Sequence, residues 1–83
     1  MKLLYFAWVR QKVGRSEEQI DLPSDVATVA ALMDFLRGRG PNYEAAFQNP
    51  ALLRCAVNQE HAKFDARVRA DDEVAFFPPV TGG

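Results

Sequence analysis

The sequence predicts an α+β fold: a mixed sheet of about five strands covered by one main helix on one face. Three patterns carry this. Short stretches at the two ends of the chain, residues 2–9 and 73–77, read as strands, with successive side chains on opposite faces. Residues 29–38 instead repeat their apolar side chains at helical spacing. Further strand-like segments flank that helix, so the element order reads β-β-α-β-β-β.

The first strand spans residues 2–9. Leu3, Tyr5, Ala7 and Val9 point one way; Leu4, Phe6 and Trp8 point the other. Both faces are largely apolar, as in a central strand covered on both sides, and in so small a domain one cover can be another protein. Gln11-Lys12-Val13-Gly14 reads as a turn, with Gly14 suited to positive φ. Residues 17–22 alternate again, Ile20 and Leu22 inward and Gln19 and Asp21 outward, and pair with the first strand as a hairpin that Pro23 ends.

Thr28 is the expected N-cap of the helix over 29–38. Val29, Leu32, Met33 and Leu36 share one helical face, and Phe35 flanks it. Arg37 and Arg39 suit the negative end of the helix dipole, and Gly38, Gly40 and Pro41 close the helix. Residues 43–48 add a short helical turn, with Tyr43 and Phe47 one turn apart, before Asn49-Pro50 breaks it. A third strand covers 52–58, with Leu53, Cys55 and Val57 on one face. Asn58-Gln59-Glu60 turns into a short strand around 61–64, a polar connection follows from Asp65 to Asp72, and the last strand spans 73–77. With the first and last strands central, parallel and joined by the long crossover, the arrangement is the β-grasp, the architecture of ubiquitin.

The chain has 83 residues, which predicts one domain, 1–83, with a modest core. It is 48% hydrophobic and 25% charged, the composition of a globular chain, and its net charge of −1 argues against nucleic acid or an anionic membrane as main partner. No apolar run approaches a membrane span. The apolar N-terminus lacks a credible signal-cleavage site and runs directly into Arg10 and Lys12, so it is read as a strand and the protein as cytoplasmic. One cysteine, Cys55, fits a reducing compartment. One histidine and no metal-ligand spacing, phosphate loop or nucleophile elbow leave nothing that resembles a self-contained active site, and no bound metal is expected.

What remains is the C-terminal tail. Pro78 and Pro79 stiffen it, and Val80, Thr81, Gly82 and Gly83 taper it to a carboxylate that no side chain shields. Such an end suits a narrow slot, although Gly-Gly alone is equally consistent with a frayed terminus. The strand alternation separates a core (Leu3, Tyr5, Val9, Ile20, Leu22, Val29, Leu32, Leu36, Leu53, Val57, Val74, Phe76) from an aromatic set (Phe6, Trp8, Phe77) facing away from the helix, near the tail exit. A contiguous exposed aromatic patch marks a binding surface; the competing reading packs one of these rings under residues 41–50. Cys55 reads as a buried, inert thiol rather than a sulfur relay. His61 reads as a surface or interface histidine rather than a general base. Arg10, Arg37 and Arg39 read by default as solvated charges.

The run Asp72-Glu73-Val74-Ala75-Phe76-Phe77-Pro78-Pro79-Val80-Thr81-Gly82-Gly83 resembles the end of the MoaD-type small subunit of molybdopterin synthase, in the ubiquitin-like sulfur-carrier family. Leu4-Tyr5-Phe6-Ala7-Trp8-Val9-Arg10 with Gly14 is similar to that family's first strand and turn, and Val57-Asn58-Gln59 and the Asp65 segment also fit. Two positions depart from the pattern: His61 stands where relatives often carry an apolar residue, and Asp71-Asp72 where a Gly-Asp turn is usual.

The resemblance implies that the carboxylate of Gly83 attacks the α-phosphate of ATP in a MoeB-type, E1-like activating enzyme. Sulfur from a donor protein then displaces AMP and leaves a thiocarboxylate. The loaded tail, Pro78 through Gly82, would insert into a MoaE-type large subunit and donate sulfur to cyclic pyranopterin monophosphate during molybdenum cofactor biosynthesis. Phe6, Phe77, His61, Trp8 and Arg10 would form the partner interface. This chain would bind no cofactor itself and would act catalytically only as a subunit, with catalytic side chains on the partners. A thiamin-type sulfur carrier, a ubiquitin-like modifier of lysines and an interaction module with an inert terminus stay open beside it.

Overall fold

The computed structural model describes residues 1–79, so the expectations for Val80, Thr81, Gly82 and Gly83 lie outside the described residues. In chain order the elements are β1 (Lys2–Tyr5), α1 (Ala7–Val13), β2 (Glu17–Gln19), α2 (Val29–Arg37), α3 (Pro41–Phe47), a 3-10 turn (Pro50–Leu52), β3 (Arg54–Val57), β4 (Glu60–Ala62) and β5 (Glu73–Phe77). The strands form one sheet in the order β2-β1-β5-β3-β4. β1 and β5 run parallel, with Leu3 beside Val74 and Tyr5 beside Phe76; every other pairing is antiparallel. The expected mixed sheet, with the last strand in its middle and the first strand interior, is therefore present.

The first strand is shorter than expected. It stops at Tyr5, and residues 7–13, read above as the rest of the strand and a turn, form α1. The apolar residues of 2–9 satisfy two periods at once. Leu3 and Tyr5 reach the core at strand spacing, whereas Val9 reaches it at helical spacing together with Val13, a residue assigned above to the turn. Phe6 is the extended N-cap, Ala7 takes a φ of 53° to start the helix, and Gly14 closes it at a φ of 93°. β1 and β2 pair antiparallel as expected, but a helix occupies the connection where a tight hairpin turn was expected.

The other differences are shorter strands and a fuller helical layer. β2 ends at Gln19, β3 begins only at Arg54, and β4 occupies 60–62. Pro50 and the Asn49 side chain, which accepts from the Ala51 amide, wind residues 50–52 into a 3-10 turn and leave Leu52 in solvent. Asn58 and Gln59 both take positive φ (51° and 70°) between the paired residues Val57 and Glu60, as a two-residue type I′ hairpin loop requires. Thr28 caps α2 as expected, accepting from the Ala31 amide at 3.1 Å. The segment 43–48 is a seven-residue helix that starts at Pro41. Among the described residues three α-helices therefore accompany the sheet, where one main helix and a short helical turn were expected.

The core lies between α2, α3 and one face of the sheet. Leu3, Tyr5, Val9, Val29, Leu32, Leu36, Leu53, Val74 and Phe76 are buried as expected. Ile20, Leu22 and Val57 are only partly buried, because they sit at strand ends and sheet margins. Tyr43 and Phe47 on α3 enter the core instead. The Phe47 ring meets Phe76 edge-on at 4.9 Å, beneath the middle strand.

Candidate functional site: the open face of the sheet and the tail exit

Alternation along β5 sorts its side chains between two environments. Val74 and Phe76 are fully buried toward the helices; Glu73, Ala75 and Phe77 face the other way and are half-buried. The cross-strand register extends that second face. Ala75 lies between Leu4 and Ala56, and Ala56 is opposite His61. Leu4, Ala75 and Ala56 make a shallow apolar strip, because two of the three side chains are single methyl groups.

At the end of this strip the His61 ring meets Phe77 edge-on, with centroids 5.4 Å apart. Phe6 is 49% exposed and continues the β1–β5 ladder, its amide donating to the Phe76 carbonyl at 3.1 Å. The backbone thus holds Phe6 beside the last turns of β5, where Pro78 and Pro79 begin the tail. Phe77, with His61 against its ring, and Phe6, bonded to Phe76, thus lie near the start of the tail at Pro78 and Pro79.

Trp8 is not part of that gathering. It rides on α1 and lines a groove of about 200 Å³ with Lys12, Ala45, Ala46, Gln48, Asn49 and Leu52, on the helical side of the sheet. The helix at 7–13 removes Trp8 from the strand alternation that had placed it on the open face, so the competing reading, a ring packed against the 41–50 segment, holds for this residue. Arg10 is exposed on the same helix and forms no ion pair among the described residues.

Arg37 and Arg39 are not the solvated charges that the default reading makes them. Arg37 makes a two-pronged bond to Glu44, at 2.9 and 3.1 Å. Arg39 bonds Glu18 at 2.9 Å and lies over the Tyr43 ring. Glu18 is the residue that the sequence reading passed over. Its side chain, 5% exposed, accepts from the hydroxyls of Tyr5 and Tyr43, each at 2.8 Å, and from Arg39. Burial pushes its carboxyl upward, but the hydrogen bonds from Tyr43, Tyr5 and Arg39 outweigh burial and hold it below the usual carboxylate range. Burial, reinforced by the Glu18 carboxylate, drives the Tyr5 hydroxyl well above its ordinary value. The signal for Glu18 was available: it falls two residues before Ile20 and shares its inward phase.

Cys55 is buried, its Sγ 3.3 Å from the Ala62 carbonyl oxygen, and burial pushes its thiol up. That is the opposite of the activation a sulfur relay requires. No group of three His, Cys, Asp or Glu side chains that can hold a metal occurs among the described residues, and none of their helices is long and apolar enough to cross a membrane. The chemistry this face can perform is recognition, next to a tail that leaves from the sheet's middle strand.

Comparison with known proteins agrees with this geometry. The chain is 41% identical over 83 residues to the molybdopterin synthase sulfur carrier subunit of Escherichia coli (strain K12), covering 100% of this chain and 99% of that protein. It is 37% identical to the subunit of the same name from Haemophilus influenzae, again over 100% and 99% of the two chains. Among solved structures, small archaeal modifier protein 1 of Haloferax volcanii is similar with a TM-score of 0.76 at 28% identity, over 96% of this chain and 97% of that one. The model of the ThiS family matches residues 3–83, and with relatives this similar along their whole length the chain belongs to that family.

Proposed function

We propose that this chain is the sulfur-carrier subunit of a molybdopterin synthase, a cytoplasmic protein whose reactive group is the carboxylate of Gly83. The observation that carries this reading is the placement of β5. It is hydrogen-bonded on both sides, it lies in the middle of the sheet, and it runs directly into Pro78-Pro79 beside Phe6 and Phe77. A tail launched from there has a rigid origin, which limits the conformational freedom lost when it enters a partner. The names of the full-length relatives support the same reading.

In the proposed cycle an oxygen of the Gly83 carboxylate attacks the α-phosphate of ATP in a MoeB-type activating enzyme, and pyrophosphate leaves. A free carboxylate resists nucleophiles at neutral pH, and the acyl-adenylate supplies the leaving group it lacks. Sulfide released by a donor then attacks the acyl carbon and AMP leaves, giving the terminal thiocarboxylate. The large subunit of the synthase receives the loaded tail, and the sulfur passes to cyclic pyranopterin monophosphate. This chain contributes the docking face, the stiff Pro78-Pro79 segment and the reactive terminus; the partners contribute the catalytic side chains.

The test is intact mass spectrometry after incubation with the activating enzyme, ATP and a sulfur donor. The expected result is one sulfur-for-oxygen exchange at Gly83. An unchanged mass with an activating enzyme proven on another carrier overturns the proposal. A second reading, a ubiquitin-like modifier of lysines, is favoured by the similarity to small archaeal modifier protein 1. It predicts lysine conjugates of this chain in cells, whereas the carrier reading predicts co-purification with a synthase large subunit, and a thiamin-type carrier predicts a thiazole synthase in its place.

A further inference from the structure

The open face carries a second row of side chains beyond the Leu4–Ala75–Ala56–His61 strip, and this one is charged. Phe77 pairs directly with Arg54 across β5 and β3. The β3–β4 register sets Cys55 opposite Ala62, and the residues next to that pair, Arg54 and Lys63, line one hollow together. Both cations are exposed, and Arg54 stands at the tail end of the sheet. Neither forms an ion pair among the described residues; the hydrogen bond from Arg54 goes to the neighbouring carbonyl of Leu53, at 2.8 Å. Elsewhere in the chain Arg15, Arg37 and Arg39 each hold a carboxylate, so acidic residues are not scarce.

The two cations also frame a hollow of about 250 Å³, whose remaining lining is Leu53, Ala62 and Phe64. The basic rim and apolar floor match a carboxylate on an aliphatic stem. Arg54, part of the hollow's lining, is the cross-strand partner of Phe77, which ties the hollow to the tail exit.

We propose that Arg54 and Lys63 form an anion-accepting corner of the docking face, where the protein that receives the tail places an Asp or Glu side chain. This rests on the carrier reading and adds to it a stated chemistry for the partner's rim. The corner orients the carrier about the axis of its tail: Phe6 and Phe77 supply contact area, and the charge pair selects one rotation. Charges at the rim of an interface act mainly on association rate and salt dependence.

The test compares the wild-type chain with the double variant Arg54→Gln/Lys63→Gln, titrated against the purified large subunit of molybdopterin synthase from the same organism at rising salt. The variant is expected to bind about fivefold more weakly at low salt, with a shallower salt dependence and near-equal affinity at high salt, where surface charges are screened. Its thermal midpoint is expected to match that of the wild type, because neither side chain holds an ion pair among the described residues. Arg54→Glu is expected to weaken binding further at low salt. Equal affinities and equal salt slopes for the wild type and the double variant overturn the proposal while leaving the carrier reading intact. If the wild-type chain fails to bind the large subunit and Gly83 gains no sulfur, the carrier reading itself fails and this inference falls with it.

Discussion

On the β2 flank of the sheet the Glu18 carboxylate is enclosed and met by two tyrosine hydroxyls and the Arg39 guanidinium, whereas on the β4 flank Arg54 and Lys63 are exposed and form no ion pair among the described residues. The first arrangement joins β1, β2, α3 and the segment after α2 through one buried anion. The second ties no two elements together through an ion pair among the described residues. Polar groups that a chain satisfies internally hold the fold, and those it leaves unsatisfied beside an exposed aromatic patch are available to a partner. The same division runs through β5, where Phe76 and Phe77 are adjacent in sequence and face opposite ways.

That division can be broken at several points. Deleting Gly82 and Gly83 is expected to abolish sulfur transfer altogether in a reconstituted synthase assay, with an unchanged thermal midpoint. A truncated chain that still supports transfer returns the terminus to an inert role. Phe76→Ala is expected to destabilise the fold by about 3–5 kcal/mol, because it opens a cavity under Phe47 and Tyr5. Urea unfolding measures this. Phe77→Ala, one residue on, is expected to leave stability within about 1 kcal/mol and to weaken binding to the large subunit by about 2 kcal/mol. If both variants lose stability equally, the open face is structural and the contrast fails.

Glu18→Gln sharpens the other half of the comparison. It leaves two hydroxyls and a guanidinium without their anion and is expected to cost about 2 kcal/mol at neutral pH. Because the folded state holds the Glu18 carboxyl below its ordinary range, its stabilisation is complete above that range and is lost as pH falls through the depressed value. As pH falls below the ordinary carboxylate range, the wild-type chain should therefore lose stability more steeply than the variant does. Parallel curves would show that the network is not the source of the acid sensitivity.

Much of this was legible in the sequence. Thr28 before the Val29–Leu36 stripe announced α2, and the run Glu73–Phe77 before two prolines announced β5 with its bounds intact. Phe6 and Phe77 were assigned to the open face from alternation alone. Trp8 was misassigned because an apolar stretch of eight residues fits a strand and a strand-plus-helix equally well, and only the left-handed start at Ala7 decides between them. Glu18 shares the inward phase of Ile20, but its partners Tyr5, Arg39 and Tyr43 are remote in sequence, so the network that satisfies it was not legible. Arg54 was readable: it alternates with the inward-facing Leu53 and Cys55, which puts it on the face of Phe77.

The most direct test of the division between the two faces is amide chemical-shift mapping of the labelled chain as the synthase large subunit is added. The perturbations expected lie at Phe6, Ala56, His61, Ala75 and Phe77, with Val29–Leu36 of α2 silent. Perturbations concentrated on α2 and α3, with the open face silent, would contradict the claim that this face docks the partner and aims the tail.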